Sequence, residues 1–133
     1  MEKLEHVGIA VKNLDESNKL FAKLLGKSHY KIEEVVSEGV RTSFFEIGGV
    51  KIELLEATNP DSPIAKFIEK RGEGIHHLAF EVKNIEESIR SYSENGFTLL
   101  NQQPKSGADN KRIAFMHPKS TNGVLTELCE DLK

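Results

Sequence analysis

The sequence predicts an α+β fold in which two tandem βαβββ modules, about 1–70 and 71–133, make one domain of 133 residues. Three observations predict it. Residues 4–17 (LEHVGIAVKNLDES) return as residues 75–88 (IHHLAFEVKNIEES), at an offset of 71. Residues 49–56 (GVKIELLE) return as 123–130 (GVLTELCE), at an offset of 74. Each repeat also passes from alternating to helical periodicity and back to alternation. Two matches in the same order indicate one duplicated unit, with a three-residue insertion in the second copy.

The elements follow in order. In residues 5–11, Val7, Ile9 and Val11 face one way and His6, Gly8 and Ala10 the other, as a strand requires. Asn13 or Asp15 then caps a helix over 15–25, which carries Leu20, Phe21, Leu24 and Leu25 and stops at Gly26. Strands are expected near 30–36, 40–47 and 50–56, with Gly48-Gly49 turning into the last. Asp61 or Ser62 caps a joining helix over 62–71, with Pro63 at its first position and Gly72 beyond its end. The second copy opens with a strand over 76–82, its His77, Ala79 and Glu81 opposite Leu78, Phe80 and Val82. A helix over 85–95 follows, capped by Asn84, and then strands near 97–102, 111–117 and 123–129, with Asn122-Gly123 as the last turn.

Composition narrows the function. Eighteen basic and 21 acidic residues give a net charge of -3, so there is no basic footprint for DNA or RNA. No run approaches the roughly 20 apolar residues of a bilayer span, so no membrane partner is expected. The alternating N-terminus offers no apolar core of a secretory signal. The one cysteine, Cys129, excludes an internal disulfide and a cysteine-rich zinc site, and fits a reducing, cytoplasmic setting.

The repeat delivers four residues able to ligate a metal: His6, Glu53, His77 and Glu127. In each module one strand face is expected to pack the helices while the other presents a His or a Glu, with Gly8, Ala10 and Ala79 leaving room over it. If the modules pair about a pseudo-twofold axis, each contributes one His and one Glu to a common centre. Two imidazoles and two carboxylates suit a divalent ion such as Co, Ni, Zn or Mn, with positions left for water or substrate. His29, His76 and His117 have no counterpart in the repeat and are read as structural. Cys129 is read as a small buried residue. Nucleotide-binding glycine motifs and a GxSxG elbow are missing from the sequence.

The paired modules with their His, Glu, His and Glu resemble the vicinal oxygen chelate (glyoxalase/bleomycin-resistance/dioxygenase) superfamily. Residues 61–67 (DSPIAKF), 74–80 (GIHHLAF) and 115–120 (FMHPKS) running into 123–128 (GVLTEL) are similar to the methylmalonyl-CoA epimerases, as is the opening 6–11 (HVGIAV). That resemblance implies a concave, metal-lined sheet, a divalent metal cofactor, a homodimer and an acyl-CoA substrate. By position it implies His6, His77 and Glu127 as ligands, with Glu53 where the family has Gln or Glu. Glu127 is then one catalytic base. Thr42 stands at about the place of a second acid in some family members, so Glu53, across the metal from Glu127, is the better second base and Glu46 a weaker one. Lys105, Lys111, Arg112 and Lys119 could meet the phosphates of the substrate. Two other readings stay open: a glyoxalase I (lactoylglutathione lyase) acting on a glutathione thioester precursor with the same four residues, and a binding protein of the same fold without a metal. An extradiol dioxygenase fits less well, since its iron favours two His and one carboxylate.

Overall fold

The computed structural model describes residues 1–132. It contains the βαβββ order twice, and the chain forms two compact units. One unit is His6–His76; the other takes the residues from His77 on together with Met1–Glu5.

In the first unit the strands are β1 (Lys3–Ala10, entering the unit at His6), β2 (Lys31–Val35), β3 (Val40–Ile47) and β4 (Val50–Ala57), and the helices are α1 (Leu14–Leu25) and α2 (Pro63–Arg71). The strand order is β2-β3-β4-β1, with β1 parallel to β4 and the other neighbours antiparallel. Of the two caps open for α1, Asn13 is the one used: its side chain accepts the Glu16 N–H at 3.0 Å. For α2 it is Ser62, which accepts the Ile64 N–H at 3.1 Å ahead of Pro63. Each cap satisfies an amide that the helix itself leaves without an acceptor. Gly39, at φ 65°, is held to glycine on two counts. The left-handed backbone disfavours a side chain, and a Cβ there would lie 3.1 Å from that of Ser62.

Helix α1 covers the face formed by Ile9, Val11, Ile52, Leu54 and Phe45. Helix α2 lies on the opposite face, where Ile64, Phe67 and Ile68 pack on Ala10, Val40 and Leu55. This corrects the expectation that all helices share one face. The side that carries His6 and Glu53 is itself roofed at its Ala10–Leu55 end, because α2 must bury its own apolar stripe.

In the other unit the strands are β5 (Gly74–Glu81, entering the unit at His77), β6 (Lys105–Gly107), β7 (Lys111–Met116) and β8 (Thr126–Asp131), with α3 (Ile85–Glu94) after β5. The order β5-β8-β7-β6 has β5 parallel to β8 and the rest antiparallel. Asn84 caps α3, accepting the Glu87 N–H at 3.0 Å. Ile85 and Ile89 pack on Val82, Leu99, Ala114, Met116 and Leu128.

One element is displaced from its expected place. Residues 97–102 form no named strand; they touch β7 through a single bridge, Leu99 with Met116, and the paired strand comes later, as β6. The cause is Asn101. Its side-chain Oδ1 takes the Phe115 N–H at 2.8 Å, so a backbone carbonyl no longer does and the ladder is interrupted. The last strand also begins at Thr126 instead of 123, because Asn122 and Gly123 sit at φ 56° and 86° in a turn.

The repeated terminal glutamates, Glu56 and Glu130, have a structural task. Glu56 accepts the Leu14 N–H at 3.0 Å, and Glu130 accepts the Ile85 N–H at 2.8 Å. In each unit the last acid of the repeat thus fastens the first turn of the helix, where an anion is favoured.

Candidate functional site

Strand register sets each His beside its Glu. In the first unit Gly8 of β1 is opposite Glu53 of β4, and His6 stands two residues earlier on the same face. In the other unit Ala79 of β5 is opposite Glu127 of β8, again with His77 two residues earlier. A glycine or alanine opposite the carboxylate leaves space that a larger side chain would fill. His6 Nδ1 lies 3.1 Å from Glu53 Oε2, and His77 Nε2 lies 3.2 Å from Glu127 Oε1.

All four side chains are about 95% withdrawn from solvent (His6, Glu53 and Glu127 4% exposed, His77 5%). A buried carboxylate is costly unless a donor or a cation meets it. The imidazole does so here, and a divalent ion held by imidazole nitrogen and carboxylate oxygen would do so more strongly. Each unit offers one imidazole nitrogen and one carboxylate oxygen, donors that suit a borderline divalent ion in kind. Thiolate does not join them. Cys129 shares the Glu127 face, but burial pushes its thiol well above the usual range, and the charges of Glu127 and Glu5 push it further the same way. It stays protonated and is a poor ligand and nucleophile.

The other nominated residues sort clearly. Thr42 is fully buried on β3 opposite Leu55, two pairs along from Phe44 and Glu53, and its Oγ1 has no hydrogen-bond partner among the described residues. Glu46 closes the β3–β4 turn, accepting the Gly49 N–H at 2.6 Å, with Lys27 3.8 Å away. Of the four basic residues, Arg112 is bound to Glu86 and lies 3.9 Å from Glu130, beside α3 on the opposite face from Glu127. Lys111 is buried, hydrogen-bonded to Asp131 and 3.7 Å from Glu5. Lys119 is exposed on the turn after β7. Lys105 alone of the four is half-buried on the Glu127 face, its Nζ 5.9 Å from the centre of the Phe115 ring.

Phe44 and Phe115 escaped the sequence reading. Phe44 is opposite Glu53 in register, and Lys31 Nζ stands 4.7 Å from the centre of its ring. Phe115 is opposite Glu127, with Lys105 over it, and its ring meets His77 edge-on at 5.7 Å. The signal lay in the offsets. Phe44 and Phe115 share the offset of 71, and Lys31 and Lys105 the offset of 74. Strand pairing brings them together, Lys31 directly opposite Phe44 and Lys105 diagonally, since its own partner is Ile113. His76 packs edge-on against Phe67 at 5.0 Å, in keeping with a structural role.

Comparison with known proteins agrees with this geometry. The model of the Glyoxalase/Bleomycin resistance protein/Dioxygenase superfamily matches residues 5–115. A protein of Bacillus subtilis (strain 168), "Uncharacterized protein YqjC", is 40% identical over 130 residues, covering 98% of this chain and 93% of that one. The mitochondrial methylmalonyl-CoA epimerase of Dictyostelium discoideum is 40% identical over 129 residues, covering 96% of this chain and 78% of that one. Among solved structures, a Streptomyces coelicolor methylmalonyl-CoA epimerase variant in complex with 2-nitronate-propionyl-CoA superposes with a TM-score of 0.94 at 32% identity, covering 98% of this chain and 95% of that one. No helix among the described residues is long and apolar enough to cross a membrane.

Proposed function

The chain belongs to the glyoxalase/bleomycin-resistance/dioxygenase superfamily, in the branch of the methylmalonyl-CoA epimerases, and from that premise we propose that it interconverts (R)- and (S)-methylmalonyl-CoA, using a divalent ion held by His6, Glu53, His77 and Glu127. The observation that carries the reading is the buried His–Glu pair, built at the same place in both halves of the repeat.

The reaction removes a proton from the carbon beside a thioester and returns one to the opposite face. That carbon is weakly acidic, and the enolate left behind carries its charge on oxygen. The bound cation would supply Lewis-acid stabilisation of that charge. The remaining work falls to the protein's own groups. Glu127 takes the C2 proton on a carboxylate oxygen, and Glu53 delivers one from the other side, so the direction of turnover decides which is base and which is acid. The imidazoles of His6 and His77 hold the two carboxylates at the spacing of a hydrogen bond. Burial of all four keeps water from quenching the planar intermediate. With Thr42 unable to act as an acid, Glu53 is the residue with the chemistry for the second transfer.

A homodimer and a cytoplasmic setting, both as the resemblance implies, complete the proposal; the single, buried thiol fits the reducing conditions of the second.

The test is deuterium uptake. Metal-loaded protein is incubated with methylmalonyl-CoA in heavy water, and loss of the C2 proton resonance is followed against a chelator control. Fast, chelator-sensitive exchange is expected. No exchange above background from metal-holding protein would favour a glyoxalase-type substrate, which the carboxylate at position 53 would suit. No exchange and no metal uptake would return the chain to the binding proteins of this fold.

A further inference from the structure

The two modules have diverged almost everywhere on the face that carries the His–Glu pairs. In the first unit that face continues into Val40, Leu55 and Ala57 beneath α2. In the other it continues into Ile113, Cys129 and the buried Lys111, which is paired with the exposed Asp131. Yet one set of contacts recurs in both, with Lys31 directly opposite its phenylalanine and Lys105 two residues off, opposite Ile113. A lysine from the edge strand reaches over a phenylalanine, and that phenylalanine stands opposite the glutamate: Lys31, Phe44, Glu53 in one unit and Lys105, Phe115, Glu127 in the other. A row kept only to fill the core would be expected to drift with its surroundings. This one is retained between an apolar roof and an ionic cluster.

The second row can be followed further. Phe115 is half-buried, and its ring meets the His77 ring at 87° with 5.7 Å between centres. That contact limits rotation of the imidazole about its last torsion, the motion by which Nε2 would swing away from Glu127 Oε1, 3.2 Å off. Lys105, 5.9 Å from the same ring, restrains Phe115 in its turn through a cation–π contact.

We propose that Phe115 is a positioning residue for His77: it fixes the imidazole in the orientation that presents nitrogen toward the Glu127 carboxylate, with Lys105 bracing the ring, and Phe44 with Lys31 is the equivalent row beside Glu53. Where it concerns metal affinity, the inference rests on the metal reading above; where it concerns the imidazole, it does not.

The experiment compares wild type, Phe115→Leu and Phe115→Tyr. Cobalt(II) affinity of the metal-stripped proteins is measured by calorimetry, and the His77 imidazole nitrogens are observed by NMR without metal. Phe115→Leu is expected to bind cobalt about tenfold more weakly, as loss of a ligand's outer support does. It should also replace one sharp His77 signal set by shifted, exchange-broadened signals. Phe115→Tyr keeps the ring and should restore both. Thermal melting of each variant separates the effect from a general loss of stability. A Phe115→Leu protein with wild-type cobalt affinity and unchanged His77 signals would overturn the proposal, whatever its melting temperature. If wild type takes up no cobalt, the metal reading fails, and the imidazole spectra alone decide the positioning role.

Discussion

Replacing Glu127 by Gln removes a base while leaving its shape. The amide keeps an oxygen able to accept the His77 N–H across 3.2 Å, and the volume at this 4%-exposed position is unchanged. The fold should therefore survive with a melting temperature a few degrees lower, the effect of losing a charge-assisted hydrogen bond of about 1 kcal/mol. Catalysis should not survive. A positioned general base contributes roughly 10²–10⁴-fold, or about 2.7–5.4 kcal/mol of barrier at 1.36 kcal/mol per decade. The nearest relief on the same face is Cys129, and its thiol is held protonated by burial, so the loss should approach the upper end. Exchange at C2 in heavy water is the assay, with each enantiomer presented separately. Glu127→Gln should abolish exchange from one enantiomer and slow inversion of both. Glu53→Gln should do the same with the enantiomers reversed. A Glu127→Gln protein that holds its metal and exchanges within threefold of wild type would refute the base assignment.

Other outcomes follow from the same structure. Leu54 is fully buried beneath α1, so Leu54→Ala should cost about 2–5 kcal/mol in urea unfolding; under 1 kcal/mol would contradict that packing. Lys111→Met removes the cation 3.7 Å from the buried Glu5 and should cost about 3–5 kcal/mol, with Glu5→Leu in the same chain recovering part of it; additive losses would show that the pair is not coupled. The raised Cys129 pKa means the folded state keeps its proton where the unfolded chain has lost it. Its contribution is therefore complete below about pH 9 and declines above, by up to about 1.4 kcal/mol per pH unit. Unfolding of Cys129→Ala between pH 8 and 10.5 should lack that decline relative to wild type, and parallel curves would exclude the effect.

The internal repeat made the modules and the four candidate ligands legible, because alternation fixes which residues share a strand face once the strand is placed. His6 with Gly8 and Ala10, and Glu127 with Cys129, lie as alternation requires. What escaped depends on partners distant in sequence. The edge strand moved from 97–102 to Lys105–Gly107 because one side chain, Asn101, took a backbone amide, and no local pattern announces that exchange. The roof of α2 over the His6–Glu53 side was hidden because its apolar stripe of Ile64, Phe67 and Ile68 says that the helix is buried, not against which face. Lys111 looked like a loop cation available to phosphate, and only β7–β8 register shows it sealed beside Asp131. The Lys–Phe–Glu rows combine both difficulties, since each draws on three strands.

The contrast between an oily closure on one half and an ionic closure on the other bears on how the protein should respond to salt. Hydrocarbon burial is not weakened by sodium chloride, whereas an ion pair open to water on one side, as that of Lys111 with the exposed Asp131 is, is screened by it. Raising the salt should therefore loosen the strand ends around Lys111 and Asp131 first, with the seam of Phe67 and Ile68 against Leu55 still shut. Amide exchange should show the ends of β7 and β8 losing protection ahead of α2 as sodium chloride rises, and equal loss in both would exclude the contrast. An enzyme put together from two copies of one ancestor would then have one half that senses ionic strength and one that does not.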